Sequence, residues 1–153
     1  MNGKIEISVT ATSGLPVIFT IATPDICTVD GNILTAIVAG VCTVMAEQAG
    51  DANYLPAPTI RQDITVAKAN QKISGIYFNA ENLVINEATR IHATATSGLK
   101  VTFSSATPGI CAVHKNIVTG IAAGICTVVA HQPGNSNYLA APRMSKDLLV
   151  IEN

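Results

Sequence analysis

The chain of 153 residues has no tryptophan, few other aromatic residues and only 12% charged residues. The formal net charge is −1 and the cationic residues form no basic stripe, so nucleic acid is not an expected partner. The lack of tryptophan weakens the case for an aromatic surface on which sugars stack. No apolar run approaches the roughly 20 residues of a membrane helix, so this segment is not expected to insert into a membrane.

The sequence contains two copies of one module. Cys27 and Cys42 recur as Cys111 and Cys126, an offset of 84 residues, and 34 of 63 residues are identical between 7–69 and 91–153. A repeat at a fixed period indicates like structural units. We therefore expect two domains, residues 1–68 and 69–153. The first is expected to lack its first strand, because the segment Gln71–Phe78 has no counterpart before Ile5. Either the sequence is part of a longer array of repeats, or the first unit has no such edge strand.

Short segments of alternating apolar and polar residues predict β-strands, and no stretch carries a helical period. Lys4–Ala11 alternates in this way, and Val17–Ile21 places three apolar residues on one face. Asp30-Gly31-Asn32 lies between two further strand-like segments, which is a strong hairpin signal. Many short strands separated by frequent turns predict an all-β sandwich of antiparallel strands.

Four cysteines are divided equally between the copies, each pair 15 residues apart. Three disulfide connectivities are possible, and the equal spacing favours Cys27–Cys42 and Cys111–Cys126. Four reduced, buried thiols remain the alternative, whereas a zinc or redox site would need a closer CxxC-type pair. Because disulfides persist in oxidising compartments, the bonded form predicts an extracellular, cell-surface or periplasmic location.

The expected hairpin restricts how such a bond could form. Cys27 should lie roughly opposite Thr35, so a strand from Val41 added to the same sheet would place Cys42 roughly 9–10 Å from Cys27. A disulfide needs Cα atoms within about 7 Å. If the bond exists, the Val41 strand must therefore belong to a facing sheet, as at the crossing between the fifth and sixth strands of an immunoglobulin-type sandwich.

Candidate metal and catalytic residues are few. The second copy contains three histidines where the first has other residues, so we favour scattered surface histidines over a zinc triad; they are His92, His114 and His131. Polar residues in the loop before each tyrosine are interpreted as loop residues, with a calcium site as the alternative; they are Asp51, Asn53, Asn135 and Asn137. No nucleophile–base set or phosphate-binding loop recurs in both copies, so neither enzymatic activity nor a cofactor is expected.

The remaining motifs resemble those of bacterial immunoglobulin-like domains, which occur as repeats in surface proteins that include invasin- and intimin-type adhesins. The chain especially resembles the cysteine-containing variety of these domains, which has the motifs Ser-Gly-Leu-Pro-Val, Thr-Pro-x-x-Cys, Ala-Gly-x-Cys-Thr and Gly-x-x-x-Tyr. In this sequence they are residues 13–17, 23–27, 39–43 and 50–54. The sequence departs from the pattern at Lys100, where the first copy has Pro16.

The resemblance implies two tandem immunoglobulin-like β-sandwiches that act as a non-enzymatic spacer in an adhesin-like surface or secreted protein. The implied partners are adjacent repeats of the same parent protein and an unidentified host or cell-surface ligand. The alternative is an accessory domain that binds carbohydrate or another surface protein.

Overall fold

The computed structural model describes residues 3–153. Every regular element among these residues is a β-strand, so they contain no helix that could cross a membrane. The chain forms two compact units, Met1–Ala69 and Asn70–Asn153. The all-β, sandwich-like fold agrees with the fold class expected from strand periodicity.

The described part of unit 1 forms two antiparallel three-stranded sheets, with the orders β1-β4-β3 and β2-β5-β6. Its strands are β1 (Lys4–Glu6), β2 (Ile18–Ile21), β3 (Cys27–Asp30), β4 (Ile33–Ala36), β5 (Gly40–Glu47) and β6 (Ile60–Val66). The core draws on both sheets, because Cys27 and Leu34 pack with Cys42 and Val44.

Unit 2 has two four-stranded sheets, with the orders β11-β12-β9-β7 and β10-β13-β14-β8. Its strands are β7 (Ile73–Phe78), β8 (Asn82–Val84), β9 (Ala88–Ala95), β10 (Thr102–Ser105), β11 (Cys111–His114), β12 (Ile117–Gly120), β13 (Gly124–His131) and β14 (Met144–Ile151). All pairings are antiparallel except β8 with β14. The larger core includes Leu83 and Ile91, which have no more than 3% exposure.

The two units differ in the extent of one strand. In unit 2, β9 covers Ala88–Ala95, because β12 pairs with its first part and β7 with its second part. In unit 1 the equivalent strand β1 covers only Lys4–Glu6, so the strand predicted over Lys4–Ala11 is too long. The physical reason is pairing: the described part of unit 1 has no strand equivalent to β7 along residues 7–11.

The hairpin predicted around Gly31 is formed by β3 and β4, and Gly31 has a positive φ of 58°. Its register differs by one residue from the expectation, because Cys27 lies opposite Ala36 rather than Thr35. A polar pair joins the neighbouring strands β5 and β6: the hydroxyl of the buried Thr43 donates a 2.6 Å hydrogen bond to Oδ1 of the exposed Asp63. Arg61 Nε lies 3.3 Å from the same oxygen.

This pair yields a prediction about ionisation. The hydrogen bond from Thr43, followed by that from Arg61, holds the pKa of Asp63 below its ordinary value of 3.8. The substitution Thr43→Val removes the hydroxyl donor and should therefore raise the pKa of Asp63, which NMR titration of its side-chain carboxyl would measure. Arg61→Ser, which introduces the residue found in copy 2, should raise it less. Because the folded-state pKa is lowered, the stabilising effect is present above about pH 4 and is lost as the pH falls through the folded-state pKa. An unchanged pKa in Thr43→Val would contradict the assignment.

Candidate functional site

The cysteines of each copy are joined within that copy. Cys27 in β3 and Cys42 in β5 belong to different sheets, and their Cα atoms are 5.7 Å apart. Cys111 in β11 and Cys126 in β13 have the same relation, with Cα atoms 5.6 Å apart. All four residues are fully buried. The bonds therefore connect the two sheets of each unit through the core.

The chain changes sheets just before the second cysteine of each copy. In unit 1, β5 starts at Gly40, whose φ of 151° is rarely adopted by residues with a side chain. A Cβ atom at this glycine would lie 2.9 Å from Ile26 Cδ1. Gly124 has the same role in unit 2, with φ 145° and Ile110 beside it.

The Thr-Pro-x-x-Cys motif is explained by a second link beside the disulfide. The Thr23 carbonyl accepts backbone N–H bonds from Ile26 and Cys27, which forms the turn before β3. The Thr23 hydroxyl accepts the backbone N–H of Thr43 at 2.9 Å, next to the bonded Cys42. Thr107 repeats the hydroxyl contact in unit 2, also at 2.9 Å. Sequence reasoning missed this role, although recurrence of the threonine in both copies was a usable signal.

Unit 2 carries an open groove of about 770 Å³. This volume is within the usual range of small-molecule sites. Its walls are one side of β9 from Ile91 to Ala95, the loop and strand residues 98–103, and the turn residues Lys115 and Asn116. The ionisable lining residues are His92, Lys100 and Lys115, so the groove would favour a ligand that carries a negative charge.

The ionisable residues of the groove are confined to the second copy. Copy 1 has Ser8, Pro16 and Gly31 at the positions of His92, Lys100 and Lys115. The ring of His92 is held by stacking on Tyr77, with 4.8 Å between ring centroids. Sequence analysis treated His92 as a scattered histidine and Lys100 as a departure from a motif; only the fold brings them to one groove.

The other candidate residues do not assemble a metal site. Among residues 3–153, no group of three or more histidine, cysteine, aspartate or glutamate side chains could hold a metal ion, so the zinc triad considered for His92, His114 and His131 is not formed. The loop residues shape turns instead. Asp51 Oδ1 accepts the backbone N–H groups of Asn53 and Tyr54 at 2.7 and 2.9 Å. Asn135 Oδ1 accepts those of Asn137 and Tyr138 at 2.8 and 2.9 Å.

No family model and no curated protein matches this chain. Among solved structures, domains 1–6 of the surface layer protein SbsC are similar over 90% of the chain, at 16% identity and a TM-score of 0.35. The chain spans only 20% of that protein. Similarity of this size does not assign the chain to a family.

Two further structures are similar to a comparable degree. A C-terminal 282-residue fragment of intimin, in complex with the intimin-binding domain of the translocated intimin receptor, has 16% identity and a TM-score of 0.33. The match covers 94% of this chain and 55% of that one. Drosophila N-cadherin EC1-4 has 12% identity and a TM-score of 0.34, with 90% and 41% coverage.

The covalent links generate a prediction about stability. Closing a loop of about 15 residues stabilises a fold by about 3 kcal/mol. The double variant Cys27→Ala/Cys42→Ala should therefore destabilise unit 1 by about this amount in urea denaturation, and leave unit 2 largely unaffected. Cys111→Ala/Cys126→Ala is the matched variant for unit 2. Peptide mapping under non-reducing conditions should recover the two bonds within the copies. Four free thiols, or a peptide that links Cys27 to Cys111, would contradict this arrangement.

Proposed function

We propose that the chain consists of two tandem immunoglobulin-like β-sandwiches and acts as a non-enzymatic spacer in a bacterial cell-surface or secreted protein. The two domains correspond to the two repeats of the sequence. On this proposal they belong to the cysteine-containing variety of bacterial immunoglobulin-like repeats. Their partners are adjacent repeats of the same adhesin-like parent protein.

Strand order supports the immunoglobulin-like assignment. An immunoglobulin constant-type domain has strands A-B-E-D in one sheet and C-F-G in the other. The strands of unit 2 other than β8 can be lettered A to G along the chain, starting at β7. The sheets then have the orders A-B-E-D and C-F-G, with β8 as an additional strand beside G. Unit 1 has B-E-D and C-F-G. The disulfide departs from the antibody pattern, because it joins D to F rather than B to F.

The observation that carries the spacer proposal is the difference between the residues that the two copies share and the residues at which they differ. Shared residues maintain the fold: the cysteine pairs, Gly40 with Gly124, and Thr23 with Thr107. Changed positions include surface sites where a common binding site would have to lie; these are Asp30 with His114, Glu47 with His131, and Thr59 with Arg143. Two units that share a scaffold and differ on their surfaces fit a spacer better than a repeated receptor.

The location follows from the same covalent links. Disulfides persist outside the reducing cytosol, in secreted, periplasmic or surface proteins. Each pair here is fully buried between two sheets, where it crosslinks a small unit. A protein with this construction fits an extracellular or cell-surface location.

A second candidate function is ligand binding by unit 2 alone. The specific observation in its favour is the groove lined by His92, Lys100 and Lys115, since copy 1 has no ionisable residue at these positions. An anionic carbohydrate or an acidic segment of a surface protein would complement this charge. The chain would then be an accessory binding domain in a larger protein.

A binding screen distinguishes these functions. The spacer proposal predicts no ligand at micromolar affinity or better when the intact chain is tested against glycans, matrix proteins and divalent metals. If an anionic ligand binds, Lys100→Pro/Lys115→Gly, which introduces the copy 1 residues, should weaken binding at least tenfold. Glycine suits position 115, because Lys115 already has a positive φ of 56°. Specific binding abolished by this variant would support the accessory domain, and turnover of any substrate would overturn both candidates.

A further inference from the structure

We propose that the groove of unit 2 binds an extended acidic peptide segment, which adds as a strand beside β9 along residues 92–96. The segment has the pattern acidic, aliphatic, any residue, aliphatic, acidic. This inference rests on the second candidate function, ligand binding by unit 2, and it names the class of ligand and the way in which the ligand binds.

Only one side of β9 is paired over its second half. On that side, β7 pairs with residues 91–95. On the other side, β12 begins at Ile117, opposite Arg90, directly after the turn that contains Lys115 and Asn116. Beyond this turn, none of the described strands pairs with that side of β9.

Backbone hydrogen bonds show which groups of β9 face β7. Arg90 O accepts the N–H of Asn79 at 3.0 Å, and the N–H of Thr96 donates to Lys72 O at 2.9 Å. Along an antiparallel strand, successive residues direct their backbone groups to alternate sides. The even-numbered residues of this stretch therefore bond to β7, and the odd-numbered residues face the other way.

The odd-numbered residues direct their backbone groups into the groove. Ile91 N–H donates to Asn116 O at 3.0 Å on this side, and Ala95 O accepts the N–H of Gly98 at 2.9 Å. By the same alternation, the N–H and C=O of Ala93 and the N–H of Ala95 point to the groove that both residues line. No described residue supplies a partner for these three groups, so an added strand could bond to them.

The unpaired side of β9 belongs to the repeat itself. Residues 70–153 cover one whole period of the 84-residue repeat, and they include the strand that pairs with the opposite side of β9. In unit 1 the same two bonds bracket the same stretch: Ile7 N–H donates to Asn32 O at 2.8 Å, and Gly14 N–H donates to Ala11 O at 3.0 Å. The gap thus recurs in both units and does not depend on where the sequence starts.

The inner surface of the groove is apolar. Ala95 and Val101 are each 7% exposed and belong to one core cluster, against which Ala93 and Phe103 pack. All four residues line the groove. A ligand residue opposite Ala93 or Ala95 would direct its side chain to the same face of the sheet, toward this surface. Aliphatic side chains at these two alternate positions would bury apolar area.

Cationic side chains lie near both ends of the unpaired stretch. Lys115 is next to Asn116, which bonds to the Ile91 end, and Lys100 follows closely after Gly98, which bonds to the other end. Both lysines are exposed, and none of the residues that line the groove is acidic. A strand of five residues spans roughly 13 Å between its ends. Acidic residues at both ends would alternate with the aliphatic ones, face outward and lie near one lysine each.

A peptide complements this groove better than a carbohydrate does. The unpaired N–H and C=O groups have the spacing of a strand, which a second backbone matches. The lining offers little aromatic surface for stacking, because one face of the His92 ring is covered by Tyr77 and Phe103 packs against the core. We therefore assign the groove to a peptide, with an anionic carbohydrate as an outcome that the test can reveal.

The test is an NMR titration of the intact chain with the peptide Glu-Val-Thr-Val-Glu, acetylated and amidated so that its ends carry no charge. In the free chain, the N–H groups of Ala93 and Ala95 should exchange rapidly with solvent, whereas that of Thr94, which faces β7, should be protected. Saturating peptide should slow the exchange of Ala93 and Ala95 by about tenfold or more and leave that of Thr94 nearly unchanged.

N-methylated peptides distinguish strand addition from simple attraction of charges. Methyl groups on both valine nitrogens remove the donors that would face β9, and should weaken binding about tenfold. A methyl group on the threonine nitrogen, which would face away from β9, should change the affinity much less. The charge is the same in all three peptides.

Protein variants test the contribution of the lysines. Lys100→Pro/Lys115→Gly should weaken peptide binding about tenfold, whereas Lys146→Gln should not, because Lys146 lies in β14 outside the groove. All these substitutions introduce copy 1 residues. Thermal unfolding checks that the variants remain folded. The single variant Lys100→Glu provides an independent test, since it should bind a peptide with lysine in place of one terminal glutamate better than the parent peptide.

The outcomes separate this inference from the function on which it rests. Binding of a sulfated oligosaccharide but not of the peptide would overturn the inference and leave ligand binding by unit 2 in place. If neither binds, both are overturned. Peptide binding without protection of Ala93, or with full affinity in Lys100→Pro/Lys115→Gly, would overturn the proposed site. A greater loss from the threonine methyl group than from the valine methyl groups would overturn the pairing with β9.

Discussion

The covalent link between the two sheets is the interaction on which each unit depends most. Units of this size are near the lower limit for a self-sufficient core. In the described part of unit 1, four buried apolar residues form the core cluster, and two of them are the bonded Cys27 and Cys42. The link fixes β3 against β5, and Thr23 then ties the loop before β3 to the same strand. The crosslink and its neighbouring hydrogen bond therefore define the spacing that the other core residues fill.

The polar links of the fold explain why the copies can diverge elsewhere. Thr23 and Gln48 act within unit 1. The Thr23 hydroxyl accepts the backbone N–H of Thr43, and the Gln48 amide bonds the backbone of Pro16 and Gly50. Their counterparts Thr107 and Gln132 make the same bonds. Because these few side chains hold the loops, nearby surface positions can change without loss of fold. The ionisable groove of unit 2 arose at such positions.

Strand periodicity and turn residues were sufficient to predict the all-β fold and the hairpin at Gly31. They could not predict the length of β1. The alternation of Lys4–Ala11 suits a strand throughout, but a strand also needs a partner strand, and β1 has one along Lys4–Glu6. The register of Cys27 was misjudged by one residue, since the exact turn decides it. The groove also could not be predicted from the sequence. His92, Lys100 and Lys115 follow no regular spacing, and only the fold places them along one groove.

The difference at the edge of the two units has a thermodynamic consequence. In unit 2 the covering strand is part of the same chain, so its contribution to stability is independent of concentration. Among the described residues, this strand brings the buried side chain of Ile73 and the buried amide of Gln71 into unit 2, so these contacts stabilise the unit at any protein concentration.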